Sequence, residues 1–212
     1  MDAIRAEDLI DLIRAWRDMF AAQREFLIAL DGKVGDSDLG ITMAKSFAAA
    51  YDAVAAEGPA AGLTKLLRSA GATMAKTAPS TMGTLTATGF LRGAKALEGK
   101  DAIGTPELAA FWRAYTTGIA ERGKAKVGDK TILDVLDPVA RVLEAQAASG
   151  AALAPALAAA AEEAEAALER TKTLVAQHGK AAAFQEKTRG LQDAGATVGV
   201  LLVKTMSEVA TG

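Results

Sequence analysis

Apolar residues recur every three or four positions along most of this 212-residue chain, and this spacing constrains the fold more than any other feature. In the first stretch, Ile10, Ile13, Trp16, Phe20 and Leu27 fall near one face of a helix. The alternation of apolar and polar residues that is typical of strands is scarce. Aromatic residues make up only 5% of the chain, whereas residues of high helix propensity such as alanine and leucine dominate. The pattern predicts an all-α protein.

Turn-forming and helix-capping residues divide the apolar pattern into segments. Each segment is long enough for a helix, and the sequence shows no internal repeat and no low-complexity linker. We therefore predict a single domain over residues 1–212 that contains eight helices, at about 4–30, 41–56, 63–76, 81–97, 105–123, 132–147, 149–179 and 196–210.

The composition narrows the partners and the compartment. A formal net charge of −2 gives no reason to expect nucleic acid or an anionic membrane as a partner. Cysteine is absent, which excludes disulfides and thiolate metal sites and favours a reducing cytoplasm. The first residues are acidic and amphipathic, unlike a signal peptide, and no run approaches the ~20 apolar residues of a membrane span. We expect a cytoplasmic protein.

The stretch LDGKVGDSDLG, residues 30–40, crowds three aspartates between two predicted helices. Carboxylates about 4 Å apart repel by roughly 4 kcal/mol at an effective dielectric constant of about 20, so Asp31, Asp36 and Asp38 either spread into water or share a cation. An EF-hand calcium loop is excluded, because neither register supplies both its glycine and its last carboxylate. Magnesium fits better, since it takes oxygen ligands and is commonly shared with phosphates. A solvated turn in which Asp38 caps a helix is an equally compatible alternative.

Three further stretches have compositions found in phosphate-binding loops. Residues 123–131, GKAKVGDKT, nearly match the P-loop, but Asp129 is inserted before Lys130 and a predicted helix precedes the stretch, so we reject a P-loop. Residues 80–89 either offer amides and hydroxyls to phosphate or cap a helix, and capping is favoured. In residues 186–197, Asp193 opens the last helix, and an N-cap with a flexible lead-in is the commoner role. The single histidine, His178, argues against Ser-His-Asp catalysis, and its expected role is a favourable charge near a helix C-terminus.

These stretches, in this order, resemble the motifs of the L subunit of dihydroxyacetone kinase, a family that also occurs as the C-terminal domain of one-chain kinases. The family motif L-D-x-x-I-G-D-x-D-H-G-x-N-M corresponds to residues 30–43, and G-K-A-x-x-G-D-K-T-M-x-D corresponds to residues 123–134. A third motif, G-R-A-S-Y-L-G-E-R-S-x-G-H-Q-D-P-G-A, corresponds to residues 179–196. The resemblance covers the whole length and implies a barrel of eight antiparallel helices, which agrees with the eight helices counted from periodicity.

The resemblance also implies a binding site. Asp31, Asp36 and Asp38 would hold two Mg²⁺ ions that bridge the phosphates of ADP or ATP. No residue receives a catalytic role, because the metal-held nucleotide performs the transfer. The positions that match the family's nucleotide pocket are Leu39, Gly40, Ile41, Thr42, Leu85, Thr86, Gly123, Ile132, Lys180, Asp193, Ala194 and Gly195.

The activity that the resemblance implies is phosphoryl transfer to dihydroxyacetone or a related short ketose such as a tetrulose. The acceptor would be held on a separate K-type subunit. The donor would be ATP, or a phosphocarrier of the phosphoenolpyruvate phosphotransferase system that recharges bound ADP. We also expect a homodimer, from the resemblance alone.

The chain departs from the family at several motif positions. Leu39 replaces a histidine, and Thr42 replaces an asparagine. The phosphate loop, usually G-G-A-S-G, reads GTLTA at residues 83–87, so two glycines have gained a side chain. Lys180 replaces an arginine, which keeps the charge but loses the bidentate fork. The departures indicate a changed phosphoryl acceptor or weakened catalysis. The alternative function is therefore a regulatory nucleotide-binding protein of the same fold, and a purely structural helical bundle is a third hypothesis.

Overall fold

The computed structural model describes residues 1–211, which form nine α-helices and two 3-10 segments. The α-helices are α1 (Ala6–Ala22), α2 (Arg24–Asp31), α3 (Leu39–Glu57), α4 (Leu63–Thr77), α5 (Thr81–Ala96), α6 (Thr105–Gly123), α7 (Leu133–Ala148), α8 (Leu153–Thr171) and α9 (Ala194–Thr211). The 3-10 segments are Pro59–Ala61 and Lys180–Thr188. Residues 1–211 contain no β-strand, and their one isolated bridge pairs Ile4 with Ile103. The predicted all-α class is confirmed.

The helices close into a barrel. From α3 onward each helix packs against the next one along the chain, and α9 returns to pack against α1, which itself packs against α3. At this closure, Trp16 on α1 donates its Nε1–H to the carbonyl oxygen of Leu202 on α9, over 2.9 Å. Because α1 and α2 follow each other across a single residue, they form one interrupted segment, and eight segments make the barrel. The predicted barrel is confirmed.

An aromatic cluster fills part of the core between α1, α3, α5 and α6. Trp16, Phe47 and Phe90 meet edge to face, with ring centroids 5.8–6.0 Å apart. Phe90 continues the cluster to Tyr115 on α6, at 5.7 Å. These rings are almost fully buried, and edge-to-face pairs stabilise a core beyond the area that they bury. The apolar face predicted for the first helix therefore faces the core.

Two of the predicted helices, the first and the seventh, differ from the structure by more than a few residues. The first predicted helix is interrupted at Gln23, whose φ of −86° and ψ of 3° lie outside the helical region, although no proline or glycine marks the position. The seventh predicted helix ends at Thr171 instead of Gly179. The carbonyl oxygen of Thr171 accepts a hydrogen bond from Lys130 Nζ at 2.8 Å, so a side chain distant in sequence satisfies the last turn. In the part of the chain that the structure describes, no helix has the length and apolar character needed to cross a bilayer.

Candidate functional site

A cavity of about 880 Å³ lies at one end of the barrel. Helices α3, α5, α7 and α9 all begin in its wall, at Leu39, Thr81, Leu133 and Ala194. A helix N-terminus carries a partial positive charge and backbone N–H groups without intrahelical partners. Four such ends around one cavity suit an anion such as a phosphate group. The volume lies within the range of about 300–1,000 Å³ that small-molecule sites occupy.

The three aspartates of residues 30–40 meet in the wall of this cavity. One carboxylate oxygen from each of Asp31, Asp36 and Asp38 lies within 4.8 Å of the other two. Asp31 ends α2, Asp38 immediately precedes α3, and the backbone N–H of Asp38 donates to Asp31 Oδ2 at 3.1 Å. That hydrogen bond holds the two ends of the connecting loop together. The alternative of helix capping by Asp38 is wrong, since its side chain accepts no capping hydrogen bond from the described residues.

The electrostatics of this trio agree with the crowding predicted from the sequence. Burial raises the pKa of Asp38, and the neighbouring charge of Asp31 raises it further. Asp36 forms an ion pair with Lys180 Nζ, which brings one positive charge to the cluster. A cation bound between the three carboxylates would stabilise their ionised form, because opposite charges offset the repulsion.

Two glycines beside the aspartates allow the backbone to approach other groups closely. A Cβ atom at Gly35 would lie 2.2 Å from Asp31 Oδ1, and one at Gly40 would lie 2.1 Å from the carbonyl oxygen of Arg24. The left-handed conformation in this loop is instead adopted by Ser37, at a φ of 62°. Gly35 therefore lets the loop fold directly over the Asp31 carboxylate, and Gly40 lets the start of α3 rest on α2.

The donor set fits a hard divalent cation. All three side chains offer oxygen and none offers nitrogen or sulfur, which is the preference of Mg²⁺ and Mn²⁺. Within residues 1–211, this is the single cluster of three carboxylate, imidazole or thiol side chains close enough to share an ion. The role of these residues as metal ligands stays a prediction, which their placement supports.

The start of α5 forms a second wall of the cavity. Ser80 Oγ accepts the backbone N–H of Gly83 at 3.0 Å, so the capping interpretation of this stretch is confirmed. Thr84 and Leu85, on the first turns of α5, also line the cavity. Capping and cavity lining are therefore combined in one stretch.

Residues 123–134 form a third wall, and the absence of a P-loop is confirmed because the stretch joins α6 to α7. The Asp134 carboxylate accepts the backbone N–H groups of Gly128 at 2.5 Å and Thr131 at 2.7 Å. The Asp129 carboxylate accepts the N–H of Lys126 at 2.9 Å and lies 2.9 Å from His178 Nε2. Burial alone would raise the pKa of Asp129, but these hydrogen bonds outweigh burial and lower the pKa.

The position of His178 differs from the prediction. It lies seven residues beyond the end of α8, lines the cavity and contacts Asp129 behind it, so its expected role as a charge at a helix C-terminus is wrong. The early end of α8 at Thr171 is the physical reason, since residues 172–179 leave the helix and turn toward the cavity.

Asp193 caps α9 at the cavity. Its Oδ2 atom accepts the backbone N–H of Ala196 at 2.7 Å, which confirms the capping interpretation for this residue. Burial raises the pKa of Asp193 to about 6, although the hydrogen bond from Ala196 and the charge of Lys130 act in the opposite direction. A carboxyl that is this costly to ionise lies in the cavity wall.

The structure brings most of the predicted site residues to the cavity. Those in its wall are Asp31, Asp36, Asp38, Leu39, Leu85, Gly123, Ile132, Lys180, Asp193, Ala194 and Gly195.

The other four predicted residues lie outside the cavity wall. Thr42 and Thr86 are buried in the barrel, at 7% and 0% exposure, whereas Ile41 is 46% exposed. Gly40 packs against the backbone of α2. Because α3 starts at Leu39, the side chains of Ile41 and Thr42 rotate away along the helix, whereas Leu39 and the free N–H groups of the first turn remain at the cavity.

Several lining residues were missed from the sequence. Arg122, Thr131 and His178 line the cavity, but none was among the predicted site residues. Thr131 lies inside a motif and Arg122 directly precedes one, so nearness to a motif was the available signal. Nothing in the sequence indicated that His178 would meet Asp129, 49 residues away.

Comparison with known proteins gives consistent matches. The DAK2 domain matches residues 33–208. The chain is 31% identical over 190 residues to the ADP-binding subunit DhaL of PEP-dependent dihydroxyacetone kinase from Escherichia coli K12, and the match covers 90% of each protein. It is 33% identical over 183 residues to the corresponding DhaL subunit of kinase 1 from Listeria innocua, with 86% of each covered.

A solved structure shows the same fold. The dihydroxyacetone kinase from C. freundii, in complex with AMP-PNP and Mg²⁺, superposes with a TM-score of 0.71 at 25% sequence identity. The match covers 94% of this chain and 33% of the C. freundii chain. The chain therefore corresponds to about one third of that larger protein.

Proposed function

The chain belongs to the DAK2-domain family, and from this membership we propose that it is the nucleotide-binding subunit of a kinase that phosphorylates dihydroxyacetone or a related short ketose. One observation carries the proposal, namely that three carboxylates and four helix N-termini share one cavity. The names of the two DhaL relatives, which are ADP-binding subunits, support it. So does the AMP-PNP and Mg²⁺ complex of the C. freundii kinase.

In this proposal, Asp31, Asp36 and Asp38 hold Mg²⁺, as two ions, against the phosphates of ADP or ATP. Bound Mg²⁺ would neutralise phosphate charge and fix the position of the phosphates. The starts of α3 and α5 direct backbone N–H groups to the same space, and phosphoryl transfer depends mainly on such positioning and charge cancellation. The apolar side chains of Leu85 and Ile132 offer a surface for the base.

The acceptor sugar comes from outside this cavity. Asp36 and Asp38 are exposed, so the metal end of the site is open to a second protein that presents a hydroxyl group. We propose a separate K-type subunit in that role. A phosphocarrier protein that recharges bound ADP fits the PEP-dependent activity named for the two DhaL relatives. Homodimer formation and a cytoplasmic location remain part of the proposal.

Unfolding with and without Mg-ADP tests the nucleotide site. Ligand at 100 times its dissociation constant should add about 2.7 kcal/mol to the free energy of unfolding. We expect Asp36→Asn to abolish this gain. Asp101→Asn is the matched control, because Asp101 is exposed and lines a separate cavity beside Lys100. A wild-type protein that gains nothing, or an Asp36→Asn variant that keeps the full gain, would contradict the proposal.

A second candidate function is a regulatory protein that binds the nucleotide without transferring phosphate. Thr84 and Leu85 place side chains in the cavity wall, where the family motif has glycine and alanine. These side chains reduce the room for close approach of the phosphates to the α5 backbone. A turnover assay with a K-type partner separates the two functions, since only the kinase subunit releases phosphorylated ketose.

A further inference from the structure

A loop outside the regular helices brings several residues to the cavity. Residues 172–191, here called the cavity loop, connect α8 to the segment before α9 and carry His178, Gly179 and Lys180 into the cavity wall. The two ends of the loop meet, because the N–H of Gly190 donates to the carbonyl oxygen of Lys172 at 2.7 Å. The loop contains a 3-10 segment and a few hydrogen bonds of its own, such as that from the N–H of Ala176 to Thr188 Oγ1 at 3.0 Å, and further contacts come from outside the loop.

Lys130 supplies these contacts at both ends of the loop. Its Nζ atom donates to the carbonyl oxygens of Thr171 at 2.8 Å and Leu174 at 3.3 Å, where the loop begins. It also donates to the carbonyl oxygen of Leu191 at 2.7 Å, where the loop ends. The three bonds use all three N–H donors of an ammonium group.

The environment of Lys130 shows that its position is built into the fold. The residue is only 4% exposed, and burial of an ammonium group is costly unless its donors are satisfied. Its φ is 59°, a left-handed conformation that non-glycine residues rarely adopt. Such strain persists where surrounding contacts fix the residue. Burial lowers the pKa of Lys130, and the nearby carboxylates of Asp193 and Asp134 only partly offset this effect.

Asp129, the preceding residue, holds the middle of the loop. Its carbonyl oxygen accepts the N–H of Gln177 at 3.0 Å, and its carboxylate lies 2.9 Å from His178 Nε2. Two consecutive residues of the connection between α6 and α7 thus contact the cavity loop at its start, middle and end. Lys180 follows two residues after His178 and reaches Asp36 in the acidic trio.

We propose that Lys130 is a positioning residue that anchors both ends of the cavity loop and thereby sets the affinity of the chain for a nucleoside diphosphate. Because the ammonium group directs all three of its N–H donors to loop carbonyl oxygens, it acts on the nucleotide through the loop, although Lys130 itself lines the cavity. The part of this inference that concerns affinity rests on the proposed function, whereas the anchoring of the loop does not.

Lys130→Met tests the inference, because methionine is unbranched and of similar length but has no donor. We expect faster amide hydrogen exchange within residues 172–191 of the variant. We also expect at least a tenfold loss of affinity for Mg-ADP in calorimetry, since misplacing a contact group by about 1 Å can cost on the order of 100-fold. Affinity for Mn²⁺ alone should stay within about twofold, because Lys130 Nζ bonds to three loop carbonyl oxygens and to none of the carboxylates of the acidic trio.

The matched control is Thr105→Val. Thr105 Oγ1 also donates to a carbonyl oxygen distant in sequence, that of Ala151 at 2.8 Å, but it lies at the start of α6, whose other end reaches the cavity. This variant should keep wild-type affinity for Mg-ADP. If Lys130→Met does not yield a helical protein by circular dichroism, Lys130→Gln, which keeps a donor on a shorter side chain, is expected to shift exchange and affinity in the same direction.

The outcomes separate the inference from the proposed function. Unchanged affinity for Mg-ADP in a folded Lys130 variant would overturn the role in affinity, even if the protein is less stable. Unchanged exchange within residues 172–191 would overturn the anchoring role. Failure of the wild-type protein to bind Mg-ADP would contradict the proposed function and the affinity role together, and the exchange measurement would still decide the anchoring.

Discussion

Replacement of Asp193 by asparagine should remove a loss of stability that the ionisation of this carboxyl causes between about pH 4 and pH 7. Burial raises the pKa of Asp193 from 3.8 to about 6 in the folded protein. Asparagine has nearly the same shape, cannot ionise, and caps helices about as well as aspartate. Asp193→Asn therefore removes the ionisation and keeps the acceptor for the N–H of Ala196.

The sign and size of the effect of Asp193 on the free energy of unfolding follow from the linkage between protonation and folding. Below about pH 4 the carboxyl is protonated in both the folded and the unfolded chain and contributes nothing to the pH dependence. Between about pH 4 and pH 6 the folded chain keeps the proton and the unfolded chain releases it, so stability falls as pH rises. At roughly 1.36 kcal/mol per pH unit, the total loss is at most about 3 kcal/mol and is complete above about pH 6.

Urea unfolding at pH 4, 5, 6 and 7 measures this effect. The free energy of unfolding of Asp193→Asn minus that of the wild-type protein should increase by up to about 3 kcal/mol from pH 4 to pH 7, because all other carboxyl groups cancel in the difference. Asp52→Asn, at an exposed aspartate, calibrates the effect of the same substitution elsewhere. A difference for Asp193→Asn that stays constant, or decreases, as pH rises would refute the reasoning.

Three further predictions concern the metal site, the phosphate site and the barrel. Gly35→Ala should weaken Mn²⁺ binding by at least about tenfold in calorimetry, because the new Cβ atom would lie 2.2 Å from Asp31 Oδ1. The control variant Gly104→Ala should bind Mn²⁺ as the wild-type protein does. Equal Mn²⁺ affinities of the two variants would contradict this prediction. Lys180→Met should weaken Mg-ADP binding by roughly two- to fivefold, which is the contribution of an exposed charge pair. Binding of Mn²⁺ alone should not weaken. An unchanged dissociation constant for Mg-ADP would count against this prediction. Trp16→Phe should lose about 1–2 kcal/mol more unfolding free energy in urea than Trp112→Phe. The reason is that Trp16 Nε1 donates to the carbonyl oxygen of Leu202, whereas Trp112 Nε1 has no partner among residues 1–211. Equal losses of unfolding free energy in the two variants would be inconsistent with a contribution of the Trp16 hydrogen bond to barrel closure.

Local signals in the sequence were sufficient for most of the fold. Helical periodicity gave the helices and their buried faces, since Met43, Phe47 and Val54 on α3 are all fully buried as their spacing requires. Capping residues gave helix starts, as at Ser80 and Asp193. These features depend on residues that are close in sequence, so they can be predicted from the sequence alone.

Features that depend on distant residues could not be predicted in this way. The early end of α8 requires Lys130 to reach the carbonyl oxygen of Thr171, 41 positions away. The contact of His178 with Asp129 requires the same loop to turn back. Periodicity carries no information about such pairs, because they form only when the barrel brings the two segments together.

The candidate site also combines features that the sequence predicts with features that it does not. Crowding of Asp31, Asp36 and Asp38 within eight residues left two arrangements open, spreading into water or meeting around a cation, and the structure brings one carboxylate oxygen of each within 4.8 Å of the others. The assignment of Thr42 and Thr86 to the pocket came from motif position and did not take helix rotation into account. Both side chains face the packed interior, because the helical phase places them there.

The most direct test of the metal and nucleotide site is anomalous diffraction from crystals of this protein grown with Mn²⁺ and ADP. We predict manganese peaks within about 2.0–2.6 Å of carboxylate oxygens of Asp31, Asp36 and Asp38, the range for oxygen ligands of divalent cations, with the diphosphate at the starts of α3 and α5. Nucleotide bound with manganese away from these carboxylates, or well-ordered carboxylates surrounded only by water, would contradict the account.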